Sequence, residues 1–106
     1  MTTCSTHVLD AALGLPAVGL TAALSRQDGT VLATELTDSD GRITWPDELE
    51  PGIHVIDFAT GSWFAAAERE TFFPSVRLIV RLEDARQHTH VALLLSPYSY
   101  TSYRGS

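Results

Sequence analysis

A two-residue alternation returns in almost every segment of this chain and leaves little choice of fold. In "SVRLIVRLED", Val76, Leu78, Val80 and Leu82 fall on one side and Arg77, Ile79 and Arg81 on the other. That is the pattern of a β-strand with one face on a core. "AVGLTAALS" gathers Val18, Leu20, Ala22 and Leu24 in the same way, and "TVLATELT" and "GIHVIDFAT" are further short β-rich runs. Turn-forming clusters separate them: Gly14-Leu15-Pro16, Asp28-Gly29, Asp38-Ser39-Asp40-Gly41 and Glu50-Pro51-Gly52. Short strands at this spacing predict an all-β, antiparallel sandwich. One stretch escapes the alternation. "TGSWFAAAERE" has an alanine run and a Thr/Ser start suited to an N-cap, which predicts one short helix over 61–69 and then a loop through Phe72-Phe73-Pro74.

At 106 residues, the chain can bury one core, so residues 1–106 read as a single domain without linker or repeat. Its 44% hydrophobic content and 19% charged content argue against disorder. The net charge is −6 and all seven basic residues are arginine; such a surface repels phosphate backbones, which excludes nucleic acid as the expected partner. Cys4 is the only cysteine, so no intrachain disulfide can form and a reducing compartment fits. With no Arg or Lys beside it, Cys4 reads as inert packing. Met1 is followed by "TTCSTHVLD", which has neither the basic nor the apolar region of a secretory leader. No run approaches the ~18 apolar residues of a membrane span. The expectation is a cytoplasmic protein with no membrane partner.

The histidines carry the chemical information. In "HTHVALLLS", alternation puts Thr89, Val91, Leu93 and Leu95 on one face and His88, His90, Ala92 and Leu94 on the other. The Val-Leu-Leu side must face the core, so both imidazoles project outward beside small apolar groups. An outer face of that mixture suggests that something covers it, most simply another subunit. "STHVLD" repeats the arrangement, with Thr6 and Val8 on one side and His7 and Leu9 on the other. Taken singly, each histidine is an ordinary surface or interface residue. Taken together they form a cluster in which an imidazole titrating near neutrality serves as general base. A zinc reading has His88, His90 and His7 as ligands, but no Asp, Glu or Cys shares their face. Arg42, in "SDGRITW", follows a tight turn and by pattern alone is a solvated turn arginine. No GxSxG elbow, P-loop or dinucleotide fingerprint is present.

"STHVLDAALGLPAVGL", "TDSDGRI", "FFP" before a Val/Arg strand, and "HVALLLSPYSYTSYRGS" together resemble the transthyretin-like proteins, in order and across essentially the whole chain. The family has a hormone-carrying branch, which shares "VLDA" and "LLSPYSY", and an enzymatic branch of 5-hydroxyisourate hydrolases in urate degradation. His7 before "VLD", Arg42 after the mid-chain glycine, His90 before the Leu run and the tail Tyr103–Ser106 resemble the enzymatic branch. Against that branch's usual "HVPLLLSPYGYSTYRGS", Ala92 stands for Pro, Ser99 for Gly, and "TS" for "ST" before Tyr103. The resemblance implies a sandwich of two four-stranded sheets with one short helix. It also implies a homotetramer, a dimer of dimers, whose channel holds the sites and into which the tail folds. It further implies hydrolysis of 5-hydroxyisourate to 2-oxo-4-hydroxy-4-carboxy-5-ureidoimidazoline, with no cofactor and no metal. His7, Arg42, His90 and Ser106 would be catalytic, and His7, Arg42, Tyr103 and Arg104 would bind substrate. His88 and His54 are expected at the interface or surface. A non-enzymatic carrier of small molecules is the alternative.

Overall fold

A computed structural model describes residues 1–105; Ser106 lies outside the described residues. In chain order the elements are β1 (Thr3–Asp10), β2 (Leu15–Pro16), β3 (Thr21–Arg26), β4 (Val31–Leu36), β5 (Arg42–Thr44), β6 (Gly52–Phe58), α1 (Thr60–Ala66), β7 (Val76–Leu82), β8 (His88–Ser96) and β9 (Ser99–Gly105). One sheet has the order β4-β3-β6-β7, and the other runs β2-β1-β8-β9 with β5 also on β1. The second sheet counts five strands, yet β2 pairs residues 9–10 of β1 and β5 pairs residues 5–7. The two short strands share the edge left open by β8, so the architecture is two layers of four positions. All pairings are antiparallel except β1 with β8, which runs parallel from Thr3–His88 to Asp10–Leu95. A parallel neighbour requires a long crossover, and here the whole other sheet is built between the two strands.

The alternation read from sequence is the burial pattern found. Val76 and Leu82 are buried and Leu78 and Val80 half-buried, while Arg77, Ile79 and Arg81 face solvent. On β8, Thr89, Val91, Leu93 and Leu95 all point inward. These side chains meet Leu24, Ile56 and Phe58 of the facing sheet, with Phe64 of α1 and Trp45 closing the core. Cys4 is fully buried in that core, and burial pushes its thiol up to about 11, which removes it from thiolate chemistry.

Three expectations need correction. Val18 is exposed and lies outside β3, which begins only at Thr21. His54, expected at the interface or surface, is 95% buried on the inward side of β6 with Ile56 and Phe58. The helix spans Thr60–Ala66 rather than 61–69, with Ala59 as N-cap and no side-chain capping bond. Its end is set by Glu68, whose φ of 56° lies in the left-handed region. From there the Glu68 N–H donates to the Ala65 carbonyl and the Arg69 N–H to the Phe64 carbonyl, both at 3.0 Å. This is the glycine-type stop of a Schellman motif made without glycine. Arg69 then lies 4.8 Å over the Phe64 ring and donates to Asp10 Oδ2 at 2.6 Å, tying the helix end to β1.

Candidate active site

Strand register assembles the candidate residues on the outer face of the second sheet. Residues paired across neighbouring strands point to the same side, and one such row reads Arg42 (β5), His7 (β1), Ala92 (β8), Tyr103 (β9). At the usual strand spacing this row spans about 15 Å. The adjacent row reads Thr44, Ser5, His90, Gly105. His7 and His90 therefore sit on adjacent strands one row apart, flanked by a guanidinium on one side and a phenol on the other. His7, His90, Leu9 and Leu94 are half-buried, and Ala92 is buried between them.

Each group is placed by a local device. Arg42 leaves a turn in which Asp38 Oδ1 accepts the N–H groups of Asp40 and Arg42, both at 2.9 Å. Those bonds, led by the one from Arg42, hold the Asp38 carboxyl below the usual carboxylate range. Gly41 closes the turn at φ 77°, and any Cβ there would run into the Val8 carbonyl oxygen. The Val8 N–H in turn donates to the Gly41 carbonyl at 2.8 Å, which docks β5 on β1. His90 rests on Gly105: a Cβ at that position would lie 2.6 Å from His90 Cδ2. Only the absent side chain lets the imidazole lie over the last turn of β9.

The hydroxyl of Ser5 lies between two rings, 2.7 Å from His90 Nδ1 and 2.8 Å from His88 Nε2, while Thr3 Oγ1 is 2.6 Å from His88 Nδ1. Burial, followed by the charges of Arg42, His7 and His88, holds His90 below the ordinary imidazole value. A half-buried imidazole kept neutral, a second imidazole beside it, a permanent cation and a phenol suit proton transfer on a small polar substrate.

Of the residues singled out from sequence, the structure brings His7, Arg42, His90 and Tyr103 together. It does not bring Arg104 with them. Arg104 pairs in register with Val91, a core-facing position, so alternation sends it to the opposite side of β9 from Tyr103. There it lines a cavity of about 230 Å³ with Ser102, Thr89, Val91, Val80 and Arg81, a cavity whose rim Tyr103 also touches. Ser106, expected to be catalytic, lies outside the described residues. Ser5 and His88 are the additions. Ser5 shares the outward parity of His7, two residues on, but its contact with two imidazoles depends on the parallel register of β1 and β8. Among the described residues no group of three His, Cys, Asp or Glu side chains is disposed to hold a metal ion. A larger cavity, about 720 Å³, lies between Arg26–Asp28 and residues 47–54, with His54 in its wall; none of His7, Arg42, His90 and Tyr103 lines it.

Residues 4–105 match the HIUase/Transthyretin family model. A 5-hydroxyisourate hydrolase from Mus musculus is 42% identical over 110 residues, which cover 96% of this chain and 93% of the relative. Among solved structures, the 5-hydroxyisourate hydrolase of Klebsiella pneumoniae superposes with a TM-score of 0.91 at 39% identity, covering 99% of this chain and 100% of that one. Sea bream transthyretin in complex with thyroxine superposes with a TM-score of 0.87 at 27% identity, covering 96% of this chain and 93% of that one.

Proposed function

This chain belongs to the HIUase/Transthyretin family, and from that membership we propose that it hydrolyses 5-hydroxyisourate to 2-oxo-4-hydroxy-4-carboxy-5-ureidoimidazoline. The observation that carries the reading is the row Arg42–His7–Ala92–Tyr103 with His90 one step away. Opening the ring amide needs a water made nucleophilic, a carbonyl made electrophilic and a hold on a flat polar ring. His90, neutral near physiological pH, takes the proton of the attacking water, and His7 orients that water. Arg42 offers a planar fork of donors to the ring oxygens and stabilises the negative charge that develops on the attacked carbonyl. Tyr103 forms the wall beside Ala92. No cofactor takes part, because the oxidised ring is already activated. The half-buried Leu9 and Leu94 beside the imidazoles support a homotetramer, a dimer of dimers, that covers this face. The lone buried thiol of Cys4 supports a cytoplasmic setting.

Loss of freshly generated 5-hydroxyisourate, followed by ultraviolet absorbance with and without protein, tests the reading. His7→Ala and His90→Ala each lower the catalysed rate by ~10²–10⁴-fold with unchanged circular dichroism, and EDTA has no effect. Near-full activity in either well-folded variant overturns the two-histidine mechanism. A carrier of the transthyretin kind shares the fold, but a carrier slot needs apolar walls, and a face lined with His7, His90, His88 and Arg42 suits proton transfer. Saturable binding of an apolar ligand without turnover would reverse the choice.

A further inference from the structure

We infer that Thr3, His88 and Ser5 form a proton relay behind His90, which lets that one imidazole act first as base and then as acid; this rests on the hydrolase reading above. The relay is a continuous line of hydrogen-bonding groups: Thr3 Oγ1 to His88 Nδ1 at 2.6 Å, His88 Nε2 to Ser5 Oγ at 2.8 Å, and Ser5 Oγ to His90 Nδ1 at 2.7 Å. Every member both donates and accepts. It runs from the exposed His88 to the half-buried His90 through a serine that is only 8% exposed.

Ser5 has a single proton to share between two ring nitrogens, so one ring donates to it whenever the other accepts. The tautomers of His88 and His90 are therefore locked together. In one state His90 Nδ1–H donates to Ser5, Ser5 donates to His88 Nε2, and His88 Nδ1–H donates to Thr3, whose own proton turns to the Gln87 carbonyl at 3.3 Å. The Nε2 lone pair of His90 is then free to act as a base. In the other state all these bonds reverse and His90 carries its proton on Nε2, ready to act as an acid.

The two states match the two halves of an amide hydrolysis. As water attacks the ring carbonyl, His90 Nε2 takes its proton while the Nδ1 proton passes through Ser5 and His88 to solvent. The new C–O bond puts an electron pair on the carbonyl oxygen, where Arg42 meets it. When the C–N bond breaks, its electron pair goes to nitrogen, which takes the Nε2 proton of His90, and the relay returns a proton to Nδ1. The product carboxyl then ionises to solvent. His90 never has to persist as an imidazolium, the form opposed by burial and, among the described residues, by the charges of Arg42 from β5, His7 from β1 and His88 on β8 itself. Strand β9 adds only Gly105 at this register position.

Ser5→Ala should lower kcat by ~10-fold or more with KM little changed, and Ser5→Thr, which keeps the hydroxyl, should restore it. In His88→Ala the rate should climb with the concentration of added imidazole buffer, a dependence absent from the native protein. Independently of turnover, the ¹⁵N resonances of both rings should show coupled tautomers, and Ser5→Ala should release His90 from His88. If the native protein opens 5-hydroxyisourate while Ser5→Ala keeps its kcat, the relay is wrong and the hydrolase reading stands. If the native protein shows no turnover, the hydrolase reading fails and the ring resonances decide the relay. Ring tautomers indifferent to the loss of Ser5 overturn it in either case.

Discussion

His90 and Arg42 are linked by charge, and that link can be measured. Because burial, then Arg42, His7 and His88, hold His90 below the ordinary 6.5, kcat/KM should rise with pH and level off at a lower pH than a free imidazole would set. Arg42→Gln should lower the rate and also move that rise to higher pH; an unmoved rise would separate the two residues. The sign for stability follows the same shift. The unfolded chain binds this proton more readily, so this contribution makes stability increase with pH across the interval between the depressed value and about 6.5, then stay level. Gly105→Ala should displace the His90 ring, since the new methyl would lie 2.6 Å from Cδ2; activity should drop at least ~10-fold while thermal unfolding changes little. Normal activity in that variant would show that the ring has room to move. His7 and His90 are legible from parity alone, because the core claims the other side of each strand. Ser5 is not legible, because a serine on a strand signals nothing until the register of its neighbour is known. Arg104 misleads for the same reason in reverse: it adjoins Tyr103 in sequence and lies across the sheet from it in space.

At the scale of elements, the least legible point was the end of α1. Helix stops are read from glycine, and here Glu68 takes the left-handed position, so the alanine run promised more helix than forms. A side chain in that conformation costs about 1–2 kcal/mol, part of which glycine gives back in chain entropy. Glu68→Gly should therefore stabilise the fold by about 0.5–1 kcal/mol, read as a higher denaturant midpoint with an unchanged slope. A lower midpoint would mean that Glu68 makes a compensating interaction. The strands β3, β6, β7 and β8 were legible because each buries one face. The pairing of β1 with β8 was not, since parity tells which side a residue faces and nothing about which strand lies beside it. The three-residue β5 is likewise too short to carry a period; it exists because the Asp38–Gly41 turn delivers it to the edge of β1.

For the molecule as a whole, the outer face of the second sheet sets the prediction. If four copies cover it, light scattering should report four times the 11.5 kDa chain mass, and a charge placed there, as in Leu94→Glu, should lower both the mass and the turnover together. A fully active monomer would show that the site needs no neighbour. The second sheet also writes two messages on the same strands. On β1 and β8 the odd and even positions answer to different demands: Val8, Val91, Leu93 and Leu95 hold the core, and Ser5, His7, His88 and His90 carry the proposed chemistry. A substitution on one side leaves the other's neighbours in place, so activity and folding can drift almost independently over generations. The same backbone is thereby open to two livelihoods, which is how a thyroxine-bound protein and a hydrolase can both superpose on this chain with TM-scores of 0.87 and 0.91.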